Sequence, residues 1–141
     1  MRLHLITFFL FIVIFSGCVS STRGLAPYQQ ETVTTIKGNV DVVETVLNRQ
    51  TNEDGLHLKI LTTSGVYIVH VCPQWYADKI KIRFDKGESL TITGSTFIKD
   101  NEQNIYAATI TDSVDHVLQL RNQDTGETMW TGRTRNKLSR K

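Results

Sequence analysis

Cysteine is scarce in this chain. Only Cys18 and Cys72 occur among its 141 residues, whereas small exported domains that rely on disulfides carry several cysteine pairs. If Cys18 is modified, Cys72 has no partner within the chain, so the domain must be held together by a packed core. An isolated thiol of this kind is usually buried and inert, with a metal-binding or intermolecular role as the alternative.

The motifs that mark common enzyme classes are also missing. The chain has no Gly-x-Ser-x-Gly segment, no Walker loop, no His-Glu-x-x-His and no Cys-x-x-Cys. Its acidic pairs, Glu53 with Asp54 and Asp112 with Asp115, fall in predicted loops, where carboxylates are usually only solvated. We therefore expect a protein without catalytic activity.

The charge is unevenly distributed. The net charge of +2 includes seven basic residues near the two ends, five of them in 133–141. The remainder has nine basic residues against all fourteen acidic ones, a net charge of −5. An acidic domain repels a phosphate backbone, so nucleic acid is a disfavoured partner. The basic tail at 133–141 is interpreted as a solvated C-terminus, with contact to anionic lipid or nucleic acid as the alternative.

The first residues have the pattern of a secretory signal. Arg2 precedes an apolar run at 5–15, and Ser16 and Gly17 follow it. The run is too short to span a bilayer, which requires roughly 20 apolar residues. Because Cys18 follows directly, the segment resembles a bacterial lipoprotein signal, although Phe15 stands where that family usually has Leu.

That resemblance implies a location and a division of the chain. In such proteins the signal, here 1–17, is removed and the cysteine, here Cys18, carries lipid. Val19 then implies sorting to the outer membrane, facing the periplasm. We expect a flexible tether at 18–32, rich in Ser, Thr and Gln, followed by one domain at 33–132.

Strand signals dominate this domain. Runs rich in Thr, Ile and Val, separated by polar or glycine-containing turns, predict extended segments. The predicted strands are 33–47, 56–63, 66–72, 89–98 and 105–111, with a further short extended run at 117–122. Pro73 ends the third strand because it lacks an N–H, and 74–83 is predicted to form a short helix. Gly38, inside the first strand, predicts a bulge or bend.

This order predicts an all-β fold: a five-stranded, OB-fold-like Greek-key barrel with one short helix between strands three and four. Four segments, 37–40, 69–76, 90–95 and 120–130, resemble small exported bacterial proteins with an OB-like barrel. Those relatives have no settled activity, so the resemblance implies a fold and no function. Cys72 stands where they more often have Gly.

Alternation along the second and third strands predicts which side chains face the core. Leu56, Leu58 and Ile60 should share the interior with Tyr67, Val69 and Val71. A two-residue turn at Ser64-Gly65 would pair His57 with Cys72 and Lys59 with His70. These four side chains would then form a polar patch on the outer face, where OB-folds bind ligands.

Three interpretations of this patch remain open. His57, His70 and Cys72 could form a soft-metal site for copper or zinc. Alternatively, His57, Lys59 and His70 belong to a solvated face or to a pocket for a polar or anionic ligand.

Three further side chains are candidates for ligand binding. Trp75 and Tyr76 follow Pro73; one of them, by preference Trp75, is expected to plug the barrel end, and the other could stack on a ligand. Arg121 alternates with Leu118 and Leu120, so it should point outward and either pair with an acid such as Asp124 or recognise an anion.

These features favour a lipid-anchored binding module of the bacterial envelope, with an envelope protein or a small ligand as its partner. The alternatives are a single-stranded nucleic-acid-binding domain and a periplasmic protein that handles copper or zinc. No cofactor is otherwise expected.

Overall fold

The computed structural model describes residues 27–131. The predicted signal (1–17), the predicted lipidation site Cys18 and the basic tail (133–141) lie outside the described residues. Within the described part, no helix is both long enough and apolar enough to cross a membrane.

The domain consists mainly of strands. Six strands and two short helical segments follow one another along the chain: η1 (Gln30–Thr32), β1 (Val33–Asn48), β2 (Glu53–Thr62), β3 (Gly65–Pro73), α1 (Gln74–Ile80), β4 (Ser89–Lys99), β5 (Glu102–Thr111) and β6 (Val117–Gln119). The predicted strand positions and the short helix after β3 are confirmed. The helix is shorter than predicted because Lys81 adopts a left-handed conformation, with φ of 58°, and ends it.

Hydrogen-bond pairing connects five of the strands in a ring. β1 pairs with β2 and β4, β2 pairs with β3, and β4 pairs with β5, all antiparallel. A parallel ladder between β3 and β5, from Tyr67 opposite Gln103 to His70 opposite Tyr106, completes the ring. The short β6 pairs with the C-terminal end of β5, so the strand count is six rather than the expected five.

The long first strand can serve two partners because it changes neighbours along its length. Its first half pairs with β4 and its second half with β2, and the two pairings overlap at Gly38 and Asn39. The irregularity predicted at Gly38 lies between Val40 and Val42 instead. Gly38 has a different role: a Cβ there would overlap the carbonyl oxygen of Leu61, so glycine is needed for the close approach of two backbones.

The core lies inside the ring. The predicted interior side chains of β2 and β3 are confirmed, since Leu58, Ile60, Val69 and Val71 are fully buried and Tyr67 packs against them. The other large aliphatic residues of the core are Ile36, Val40, Leu56, Leu90, Ile92, Ile105, Ile110 and Leu120. Each such side chain contributes roughly 1.5–3 kcal/mol on burial, which accounts for a fold without disulfides.

The end of the predicted tether packs on the domain. Tyr28 Oη donates to the carbonyl oxygen of Gln123 at 3.0 Å, and the backbone N–H of Gln29 donates to Ser95 Oγ at 3.0 Å. Residues 27–32 are therefore part of the folded unit, in contrast to the flexible segment expected up to residue 32.

The close approach at Gly38 gives a stability prediction. Replacing Gly38 with Ala forces β1 away from β2 at the centre of the ring, so we expect a loss of about 3 kcal/mol or failure to fold. Gly55→Ala is the matched control, because its Cβ would meet the His57 side chain, with Nε2 at 3.3 Å, and the Val46 carbonyl oxygen at an ordinary contact distance of 3.7 Å. It should change stability by no more than about 1 kcal/mol. Urea unfolding measures both, and equal stabilities would contradict the role given to Gly38.

Candidate functional site

A cavity of about 500 Å³ opens where the ladder between β3 and β5 ends. One wall is the tip of the hairpin formed by β1 and β2, residues 46–55. The opposite wall comes from the end of β3, from Lys99 and Tyr106, and from Arg121 and Trp130 in the C-terminal segment. Four predicted site residues, His57, His70, Cys72 and Arg121, line this cavity.

The two histidines form a cross-strand pair. His57 on β2 lies opposite His70 on β3, and their ring centroids are 4.3 Å apart. This register differs from the predicted one because the turn consists of Thr63 and Ser64, so that Thr62 pairs with Gly65. The hydroxyl of Thr62 accepts from the Ser64 N–H and donates to the Gly65 carbonyl oxygen, which fixes the turn in this position.

A hydrogen bond defines the tautomer of His70. Nε2 of His70 lies 2.9 Å from Oδ1 of Asn104, whose amide nitrogen donates to the carbonyl oxygen of Glu102. Because Oδ1 is an acceptor, Nε2 must donate, and the neutral ring keeps Nδ1 as an acceptor.

Burial keeps both rings neutral at pH 7. It lowers the pKa of His70 to about 4, although the bond to Asn104 partly opposes this. Burial, and then the positive charge of Lys99, also lower the pKa of His57. Neither histidine therefore adds positive charge to the cavity.

Arg121 lies inside the structure, contrary to the prediction that it points outward. Its side chain is only 8% exposed. Nη1 donates to the carbonyl oxygens of His70 and Val71, at 3.4 and 3.1 Å, and to that of Ala107. The guanidinium thus bridges β3 and β5, and its hydrogen bonds do not include Asp124.

Aromatic rings flank this guanidinium. Its carbon Cζ lies 4.8 Å from the ring centroid of Trp130 and 5.5 Å from that of Tyr106. Tyr106 in turn stacks on Phe97, with centroids 4.5 Å apart. Such contacts stabilise a desolvated cation by about 2 kcal/mol. Burial lowers the pKa of Arg121 to about 10, so it remains charged at pH 7.

A β-bulge places Cys72 away from the two histidines in the ladder. Val71 is the extra residue in β3, so Cys72 lies opposite Leu56 and not opposite His57 as predicted. The thiol is 5% exposed and belongs to the hydrophobic core, and burial raises its pKa to about 11. Within 27–131, no group of three or more His, Cys, Asp or Glu side chains is arranged to hold a metal ion. The geometry therefore gives no support to the copper or zinc site at His57, His70 and Cys72.

The other predicted ligand-binding residues lie elsewhere. Lys59, Trp75 and Tyr76 do not line the cavity. Lys59 pairs with Ile68 in the ladder. Tyr76, rather than the expected Trp75, packs against the core and contacts Trp130, with ring centroids 5.4 Å apart. Trp75 packs edge-on against Tyr76.

Sequence reasoning missed Lys99, Tyr106 and Trp130 as cavity residues. The sequence pattern gives Tyr106 and Trp130 no signal beyond packing, although both line the cavity. The signal for Tyr106 is its position in β5, which becomes informative only when β3 and β5 are known to be neighbours.

Fold and site together define a small, mostly-β protein with a buried arginine beside a pocket. The family model of the MamS/MamX magnetosome protein family matches residues 32–116, and the chain belongs to this family. The match agrees with the expectation of a small, specialised bacterial family. It spans β1 to β5 and ends before Arg121. No curated protein gives a significant match to this chain.

The buried neutral state of His70 predicts a loss of stability in acid. Because its folded pKa is lower than its unfolded value of about 6.5, the unfolded chain binds one more proton between pH 6.5 and pH 4. The contribution of the neutral His70 to the free energy of unfolding is complete above pH 6.5. It is lost as the pH falls towards 4, by about 3 kcal/mol in total. Urea unfolding at pH 7, 6, 5 and 4 measures this slope.

His70→Gln should flatten that slope, because the amide does not titrate and can still donate to Asn104. Ser113→Gln, at an exposed turn position whose side chain does not titrate, is the control and should leave the slope unchanged. A slope that is the same in wild type and His70→Gln would show that other groups cause the acid sensitivity.

Proposed function

We propose that this chain is a non-catalytic binding module of the bacterial envelope, built on a five-stranded OB-like barrel and anchored by a lipid on Cys18. The ring order β1-β2-β3-β5-β4, with α1 after β3, supports the barrel assignment. Because the family is named for magnetosome proteins, we further propose that the ligand takes part in the same process as those relatives.

The observation that carries the binding function is the position of the cavity. It lies against His57 and His70 of β2 and β3, between the loop that joins β1 to β2 and Lys99 at the start of the turn that joins β4 to β5. This face and these two loops are the surfaces through which OB-folds bind ligands. A volume of about 500 Å³ falls in the range of small-molecule pockets.

The chemistry of the cavity suits binding better than catalysis. The cysteine in its wall, Cys72, is protonated at pH 7 because burial raises its pKa to about 11, so it is a poor nucleophile. The neutral His70 is held by Asn104 and has no hydroxyl or thiol bonded to it that it could activate. The acidic charge balance makes nucleic acid a poor ligand.

Photo-crosslinking tests the binding site in the full chain inside cells. A benzophenone amino acid in place of Thr51, an exposed residue at the cavity rim, should give an adduct whose mass identifies the ligand. The same amino acid in place of Ser113, on a turn that does not line the cavity, should give none. Adducts at Ser113 alone, or at neither site, would contradict a binding function for this cavity.

Membrane fractionation tests the anchor. Full-length wild-type protein should be found in the membrane fraction and carry the added mass of lipid chains, because acyl chains and not the domain hold it there. Cys18→Ser should release it, whereas Cys72→Ser should remain in the membrane. Wild-type protein that lacks added fatty chains would refute the anchor.

A further inference from the structure

We infer that Arg121 is the recognition residue of the cavity and that the ligand is a small monocarboxylate with a flat apolar body. This inference rests on the proposed binding function and specifies what that site takes. It follows from the charge, the unused donors and the surroundings of Arg121.

The positive charge of Arg121 has no counter-ion in the described structure. Ion pairs within 27–131 join Lys86 to Asp41 and His116 to Asp112, at the surface. The titratable groups that face Arg121 are Cys72, Tyr28, Tyr106 and His70. Burial raises the pKa of the first three and lowers that of His70 to about 4, so all four are neutral at pH 7. A buried cation without an anion is costly, and a bound carboxylate would remove that cost.

Toward the residues that the structure describes, the guanidinium donates from only one of its three nitrogens. All the hydrogen bonds that it makes within 27–131 come from Nη1. No fully buried side-chain nitrogen or oxygen in this part of the chain lacks a partner, so Nε and Nη2 retain an opening, and Arg121 lines the cavity. Nε and Nη2 present two parallel N–H groups, and this edge matches the two oxygens of a carboxylate.

The surroundings select among anions. Because His57 and His70 are neutral, the charged side chains that line the cavity are the buried Arg121 and the exposed Arg49 and Lys99, against Glu53 and Asp54, which gives a net charge of +1. This balance suits a single negative charge better than a phosphate dianion. Trp130 and Tyr106, which flank the guanidinium, offer flat apolar surfaces beside the bound carboxylate. The free acceptor Nδ1 of His70 suits an N–H or O–H group elsewhere on the ligand.

Calorimetric titration of the full chain, purified in detergent, tests the inference with three probes. Benzoate has the required charge and shape, benzamide has the same shape without the charge, and inorganic phosphate has charge without the apolar body. Benzoate should bind at least tenfold more tightly than either of the others. Arg121→Lys should weaken benzoate binding at least tenfold, because a lysine cannot present two parallel donors. Arg83→Lys, at an exposed arginine outside the cavity, should leave it unchanged.

If Arg121→Lys fails to fold, experiments on the wild-type protein still test the inference. A crystal soaked in benzoate should show its carboxylate on Nε and Nη2 of Arg121, and a carboxylate bound elsewhere would overturn the inference. Phosphate or benzamide binding as tightly as benzoate would also overturn it. If no probe binds while crosslinking at Thr51 still captures a ligand, the carboxylate inference fails and the proposed binding function stands.

Discussion

The structure depends on the junction between β3 and β5. These strands are parallel neighbours for only four residue pairs, from Tyr67 and Gln103 to His70 and Tyr106. Beyond that point Arg121 connects the two strands, because its Nη1 donates to the carbonyl oxygens of Val71 in β3 and Ala107 in β5. Removing the guanidinium would take a hydrogen bond from each of these carbonyl oxygens. A charged donor thus substitutes for ladder hydrogen bonds where the two strands separate. The cavity lies at this separation, so the same side chain closes the ring and faces the site.

The bulge in β3 is the second determinant of the site. By inserting Val71 into the ladder, it allows Val71 and Cys72 both to reach the core while His70 stays beside His57. It also directs the carbonyl oxygens of His70 and Val71 towards Arg121. Bulges commonly redirect side chains near binding sites, and here the bulge separates a hydrophobic thiol from a polar pair of imidazoles.

Much of the fold was predictable because it follows from local patterns. Alternation identified Leu58, Ile60 and Val69 as core residues, and Pro73 marked the end of β3. The register of β2 and β3 was wrong by two residues, since either Thr63-Ser64 or Ser64-Gly65 satisfies the same alternation. The bulge was missed because consecutive residues of β3 are buried, so the strand shows no break in alternation at the extra residue, Val71. Arg121 was assigned to the surface since alternation from Leu120 treats it as a strand residue, whereas β6 ends at Gln119. The site was therefore predictable only where two adjacent strands form it.

The sequence distances across the junction have a consequence for how the protein is made. Arg121 bonds to carbonyl oxygens 50 and 51 positions earlier in the chain, so a chain whose synthesis has reached only β5 lacks a wall of the cavity and the cation beside it. Such distant contacts form slowly. A ligand that needs Arg121 binds only after the last segment has docked, and it then stabilises that state by an amount that rises with the logarithm of its concentration relative to its dissociation constant. A ligand of this site would therefore stabilise only those molecules whose C-terminal segment is in place.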